Sequence, residues 1–300
     1  MHISRRRFLQ ASGVAAVLPA MPRLARADLP AANGTLTVVS DGHLTLPASF
    51  VFDGMPADEL TAILSEYGID KASVTPPCNV TLYRDSERTI LFDVGSGSKF
   101  MPTAGDLIDN LAAAGVSPED VTHVVFTHAH PDHIWGLLDD FDDPAFPEAS
   151  YLIGKDEWDY WINPNTVDTI GEARASFAVG AKRRMEVLEE KFTFFRDGEE
   201  VLPGIAAVAT YGHTPGHMSF EIGSEAFVIG DAIGNHHVAF EKPQWEAGSD
   251  QNPEKAAATR SALIERLASQ ETAIIGYHLP GGLGRVARKD DAYRFVGAGQ

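Results

Sequence analysis

His128-Ala129-His130-Pro131-Asp132-His133 packs three imidazoles and a carboxylate into six residues. In extended or turn backbone, residues two apart point to the same side, so His128 and His130 can serve one position while Asp132 and His133 serve another close by. One hexapeptide can therefore hold two metal ions. A second cluster, Gly212-His213-Thr214-Pro215-Gly216-His217, falls where glycine and proline fix a tight turn and present one imidazole inward. Asp231 closes the apolar run Phe227-Val228-Ile229-Gly230, and His278 closes Ile274-Ile275-Gly276-Tyr277. Taken singly, a carboxylate after a buried strand is more often a turn or cap residue, and a strand-end histidine more often a hydrogen-bonded structural one. Taken together they all end strands, and a sheet can bring strand ends to one place.

Neutral imidazoles with two carboxylates suit zinc first, with manganese, iron or cobalt as alternatives. Two divalent ions about 3.5–4 Å apart can share a hydroxide at neutral pH, because coordination lowers the pKa of water to about 7. That hydroxide is a nucleophile, with one ion polarising a carbonyl or phosphoryl oxygen and the other stabilising the leaving oxygen. No serine or cysteine nucleophile is needed. Cys78, between Pro77 and Asn79, reads as a small packed apolar residue. As the single cysteine it excludes an intramolecular disulfide, a CxxC zinc site and an iron–sulfur cluster held by this chain alone.

The elements that must position these groups alternate along the chain. Strand-like runs are expected at Thr35–Val39, Val80–Tyr83, Thr89–Val94, Val121–Thr127, Ser150–Ile153, Ile205–Ala209, Met218–Ile222, Ala226–Gly230 and Ala273–Ile275. Helical periodicity is expected at Ala57–Tyr67, Asp106–Ala114, Asp156–Ile162, Gly171–Lys191 and Pro253–Ser269. Such intermixing predicts an α/β domain, sheets covered by helices, in one unit over residues 28–300. Gly171–Lys191 reads as an amphipathic helix whose Arg174, Lys182, Arg183 and Arg184 form a solvated face.

The order HxHxDH, HTPGH, strand-end Asp, strand-end His resembles the metallo-β-lactamase superfamily of hydrolases. The resemblance implies an αββα sandwich with a dinuclear centre at the rim between its sheets. It implies that His128, His130 and His217 bind one metal ion, that Asp132, His133 and His278 bind the other, and that Asp231 bridges them. Because it gives the ligand role to the last histidine of the HTPGH run, His213 is left a structural neighbour. Asp132 is the expected proton shuttle. Within the superfamily, Val201-Leu202-Pro203-Gly204-Ile205, Gly230-Asp231 with Val238-Ala239-Phe240, and His278-Leu279-Pro280 leading to Gly284-Arg285-Val286 resemble the methyl parathion hydrolase branch. That branch implies small, neutral, apolar ester, lactone or phosphotriester substrates. Of the aromatic residues near the motifs, Trp135 and Phe240 are the expected pocket lining. N-acyl homoserine lactonase activity is the alternative, although such lactonases carry a tyrosine where this chain has Gly234. A non-catalytic exported protein with one structural metal is the rival from another class. His236 and His237 are expected in a surface loop. Homodimerisation is an expectation from the resemblance alone.

Charge and address narrow the partners. With 24 Lys and Arg against 42 Asp and Glu, the formal charge of −18 repels phosphate-rich polymers, so nucleic acid is not an expected partner. Ser4-Arg5-Arg6-Arg7-Phe8-Leu9 followed by a short apolar run and Ala25-Arg26-Ala27 resembles a twin-arginine export signal over residues 1–27. This implies a periplasmic or secreted protein. The apolar run is far shorter than the roughly 20 residues that span a bilayer, so no stable membrane anchor is expected.

Overall fold

The computed structural model describes residues 28–299, and the expected export signal at residues 1–27 lies outside the described residues. Two seven-stranded sheets dominate. In spatial order the first holds Asp28–Ala31, Gly34–His43, Pro77–Arg84, Thr89–Phe92, His123–Phe126, Ser150–Gly154 and Phe192–Phe195. The second holds Glu200–Leu202, Ile205–Ala209, Met218–Ile222, Ala226–Gly230, Ala273–Gly276, Leu283–Lys289 and Ala292–Gly297.

The layering follows from the two-residue period of these strands. Ile90, Phe92 and Val125 point to one face of the first sheet, while Leu91, Val124 and Phe126 point to the other. With both faces apolar, both must be covered. The first set meets Phe220, Val228 and Ile275 of the second sheet. The second set meets Leu107 and Leu111, Trp158 and Trp161, and Ala178, Ala181 and Met185 from three helices, Leu107–Ala113, Lys155–Ile162 and Ala175–Val187. On the far side, Phe227, Ile229 and Ile274 pack under Leu263, Ile264 and Leu267 of the helix Pro253–Gln270. The order helix, sheet, sheet, helix is the expected αββα sandwich in a single domain. Among the described residues no helix is long and apolar enough to cross a membrane.

Strand direction decides where the chemistry goes. Thr89–Phe92, His123–Phe126, Ser150–Gly154 and Phe192–Phe195 run parallel, so their C-terminal ends share one edge. Ala226–Gly230 and Ala273–Gly276 are the parallel pair of the second sheet. The Met218 N–H donates to the Thr127 carbonyl at 2.9 Å, joining the two sheets at the edge where the histidine motifs lie.

Five strands of the two sheets escape the sequence pattern: Asp28–Ala31, Phe192–Phe195, Glu200–Leu202, Leu283–Lys289 and Ala292–Gly297. The last two form a hairpin at a sheet edge, where Arg285, Arg288 and Lys289 interrupt the apolar alternation. The expected helix Gly171–Lys191 is broken, with a 3-10 turn at Glu172–Arg174, the helix Ala175–Val187 and a second 3-10 turn at Glu189–Lys191. Of Arg174, Lys182, Arg183 and Arg184 only Arg183 is exposed, paired with Asp142, so they do not form a continuous solvated face. Arg184 is buried, stacks over the Trp135 ring at 4.6 Å and donates from Nε to the Trp135 carbonyl at 2.9 Å. Lys182 donates to the Ile162 carbonyl at 3.0 Å and Arg174 to that of Gly248 at 2.7 Å. These cations tie the helix down by their stems and hydrogen bonds. The helix also needs Gly180, since a Cβ there would lie 2.4 Å from the Trp135 ring.

Candidate metal centre

Six side chains from three strand ends or loops converge around Asp231. His128, His130, Asp132 and His133 follow the strand His123–Phe126, with Pro131 opening a one-turn helix, Pro131–Ile134, that swings Asp132 and His133 away from the first two histidines. His213 comes from the turn before Met218–Ile222, Asp231 follows Ala226–Gly230 and His278 follows Ala273–Gly276. All are buried.

Two sets of lone pairs face inward. His130 Nδ1 lies 3.0 Å from His128 Nε2 and 2.9 Å from His213 Nε2, and His213 Nε2 lies 3.3 Å from Asp231 Oδ2. Beside them, Asp132 Oδ2 lies 3.4 Å from His133 Nε2 and 3.3 Å from His278 Nε2, and Asp231 reaches both histidines at 3.4 and 3.2 Å. The outer ring atoms fix the tautomers. His213 Nδ1–H donates to Asp250 at 2.9 Å, His133 Nδ1–H to Asp93 at 2.8 Å and His278 Nδ1–H to the Pro77 carbonyl at 2.8 Å, leaving each Nε2 a lone pair aimed into the cluster. Asp132 Oδ2, His133 Nε2 and Asp231 Oδ1 are buried without a hydrogen-bond partner. In these neutral tautomers the acceptors crowd together with no donor among them, which suits cations, and the residues fit a pair of divalent ions.

The structure corrects one expected ligand. His217 does not point into the cluster: its Nε2 accepts the Asp231 backbone N–H at 3.0 Å and its Nδ1 faces Thr210 Oγ1 at 2.8 Å. With both nitrogens occupied, His217 supports the backbone of Asp231, and His213, expected only as a neighbour, takes the inner position with His128 and His130. Gly230 makes this support possible. It adopts φ +52°, and a Cβ there would lie 2.7 Å from His217 Nε2.

Other residues escaped sequence reading. Asp93, in the left-handed region at φ 66°, accepts from the Thr127 N–H and Oγ1–H at 2.8 Å each as well as from His133. A non-glycine residue held there stores strain that the surrounding hydrogen bonds must offset. Glu157, fully buried, accepts from Ala129 N–H at 2.9 Å, Trp161 Nε1–H at 2.5 Å, Thr214 Oγ1–H at 2.7 Å and Gly216 N–H at 3.0 Å. The signal available in sequence was slight: Asp93 ends a strand run as Asp231 does, and Glu157 looks like any residue of a helical turn.

Electrostatics agree with the donor geometry. Burial lowers the pKa of His128 and His130 well below the ordinary imidazole value. Burial also opposes charge on His213 and His278, yet Asp231 with Asp250 lifts His213 to about 9, and Asp231 with Asp132 lifts His278 to about 10. Against burial, His278 and His133 hold Asp231 well below the carboxylate range. Bound protons thus balance the buried carboxylates in the metal-free chain, and cation uptake would displace them.

Above the cluster opens a cavity of about 230 Å³, with His130, Asp132, His213, Asp231 and His278 in its lining together with Phe50, Val51, Met55, Phe100, Phe177 and Trp245. The two aromatic residues expected there lie elsewhere. Phe240 is fully buried beneath the second sheet against Phe295, and Trp135 is sandwiched between Phe100 and Arg184. Both are used for packing because the segments bearing them turn inward. His236, half-buried, and His237, buried, lie in the loop between Asp231 and the helix Val238–Glu241 and pack edge-on against Tyr67 and Phe52.

The family model described as the metallo-beta-lactamase superfamily matches residues 74–278, which include every inward-facing group above. The chain belongs to this superfamily. Among curated relatives, N-acyl homoserine lactonase AttM of Agrobacterium fabrum is 28% identical over 116 residues, 38% of this chain and 40% of the relative. Metallo-beta-lactamase domain-containing protein 1 of Xenopus laevis is 28% identical over 165 residues, 53% of this chain and 56% of the relative. The match thus spans about half or less of the length of these relatives. Among solved structures, AidC, a dizinc quorum-quenching lactonase in complex with the product N-hexanoyl-L-homoserine, superimposes with a TM-score of 0.85 at 25% identity, covering 92% of this chain and 98% of AidC. The hydrolase AbOPH gives a TM-score of 0.83 at 27% identity with the same coverage.

Proposed function

We propose that this superfamily member is a dinuclear metal-dependent hydrolase, with zinc as its metal, that opens lactones and cleaves esters carrying an apolar tail. The observation that carries this reading is the convergence of His128, His130, Asp132, His133, His213, Asp231 and His278, acceptors without donors, at the floor of an apolar cavity. When bound, two divalent ions supply acidified water and polarise the scissile carbonyl. The chain's own residues do the rest. Phe50, Val51, Phe100 and Phe177 bury the tail and exclude water from the reacting end. Asp132, through the carboxylate oxygen that does not face His133 and His278, takes the proton of the attacking water and returns it to the leaving oxygen. Asp93, Asp250 and Pro77 keep His133, His213 and His278 in the required tautomers. The likeness to AidC over nearly the whole chain supports a lactone as the first substrate class to try. Gly234, with open space around it at the cavity wall, leaves room for the broader leaving groups of aryl esters and phosphotriesters.

The test is metal content followed by hydrolysis of an N-acyl homoserine lactone, a p-nitrophenyl ester and a paraoxon-type triester at matched concentrations. About two ions per chain are expected, with the lactone turned over and activity lost in His130→Ala and Asp231→Ala while the circular dichroism spectrum is retained. A folded chain that stays active without metal in both variants would refute the reading.

A further inference from the structure

The cysteine that reads from sequence as packing material lies against the second set of ligands. Cys78 is fully buried, and its Sγ, a carboxylate oxygen of Asp132 and a ring nitrogen of His278 all lie within 4.8 Å of one another. Hydrogen bonds on both sides of the cysteine hold this arrangement. The Pro77 carbonyl accepts from His278 Nδ1–H at 2.8 Å, the Asn79 N–H donates to the Tyr277 carbonyl at 3.0 Å, and the Asn79 side-chain amide donates to the Leu279 carbonyl at 2.7 Å. Residues 77 and 79 are therefore bonded to residues 277, 278 and 279, which keeps sulfur and imidazole in register. An independent atom points to a cation at the same corner: Asp132 Oδ2, 3.3 Å from His278 Nε2, is buried and has no hydrogen-bond partner.

We propose that Cys78 Sγ is a further donor to the ion held by Asp132, His133 and His278. The proposal rests on the dinuclear reading above. When the sulfur–metal bond forms, the S–H bond breaks and the thiol proton leaves to solvent, with no oxidant or reductant consumed. A thiolate is a soft ligand, so this position prefers zinc, cobalt or cadmium over manganese or magnesium. The site of His128, His130 and His213 has no sulfur and is the less selective of the two. Two ions in one cavity thus acquire different metal preferences from a residue that contributes nothing to the pattern of histidines.

Cobalt is the direct probe. The full chain is stripped of metal, reloaded with two equivalents of Co²⁺ and followed by absorption. The expected result is a sulfur-to-cobalt charge-transfer band in the near ultraviolet, absent from Cys78→Ser and Cys78→Ala, with the visible ligand-field bands retained. No other cysteine in the chain can produce that band. Cys78→Ala should also weaken one of the two zinc equivalents about tenfold and leave the other unchanged. Two bound cobalt ions with ligand-field bands but no charge-transfer band in the unmodified chain would overturn the sulfur proposal and leave the hydrolase reading standing. Failure to bind two ions would overturn both. The unmodified chain decides the matter even if the variants fail to fold.

Discussion

His213 and His217 are four residues apart in one turn, both buried, and do different work. The difference lies in what the second nitrogen touches. His213 spends Nδ1 on Asp250 and keeps Nε2 free, whereas His217 has Thr210 on one side and the Asp231 N–H on the other. His213→Ala should therefore lower bound metal from about two ions per chain to about one, measured by elemental analysis after desalting. His217→Ala should keep about two and lose roughly 10- to 100-fold in affinity, as removal of a group that orients a ligand does. The reverse outcome would restore His217 to the inner position. In sequence the two histidines are indistinguishable, because a motif records residue types and spacing and says nothing of which ring atom meets a backbone N–H.

At the scale of elements, the site depends on a tie between two loops that belong to different sheets. Glu157, at the first turn of the helix Lys155–Ile162, bonds Ala129 in the HxHxDH loop and Thr214 and Gly216 in the HTPGH loop. Gly216 has no room for a side chain, since a Cβ there would lie 2.1 Å from the Glu157 backbone nitrogen. Glu157→Gln replaces one acceptor oxygen by an amide that faces donors, leaving at least one buried N–H or O–H unpaired at about 1–3 kcal/mol. Chemical denaturation should show destabilisation of that order, and zinc affinity should fall with it because both loops carry ligands. Stability and affinity unchanged would mean that the loops are held by other contacts. The strand ends carrying Asp231 and His278 were legible in sequence, because an apolar run followed by glycine and a polar residue marks a buried strand and its exit. The helix before Phe192 was legible as a helix, but its ends and the burial of Arg184 were not, since a buried arginine shows only its charge in the sequence.

The whole molecule is two sheets whose edges meet at a group of carboxylates. Four ligands come from the first sheet and three from the second, so ions held there join the halves of the sandwich. Metal removal should lower the thermal midpoint, and the remaining stability should depend on pH. His213 and His278 rise from an ordinary 6.5 to about 9 and about 10 in the folded metal-free chain. Folding therefore gains from their protonation fully below about pH 6.5 and loses that gain as pH rises through 9 and 10. Asp231, held low, works the other way and loses its contribution only in acid. Differential scanning fluorimetry of the stripped chain should show a midpoint falling from pH 6.5 to 10, with the zinc-loaded chain much flatter over that range. A stripped chain with a flat profile would mean that these histidines do not carry the balancing charge.

The order of the motifs along the chain determined the superfamily, the αββα layering and six of the seven inward-facing groups, because metal ligands need particular residue types and buried strands need apolar runs that end where the ligands begin. Tertiary structure alone decided that His213 faces inward and His217 outward, that Phe240 and Trp135 pack while Phe50 and Phe177 line the cavity, and that Cys78 lies beside Asp132 and His278. Each of these depends on rotamer, backbone hydrogen bonding and the docking of one sheet on the other, and all three come from contacts between residues far apart in the chain.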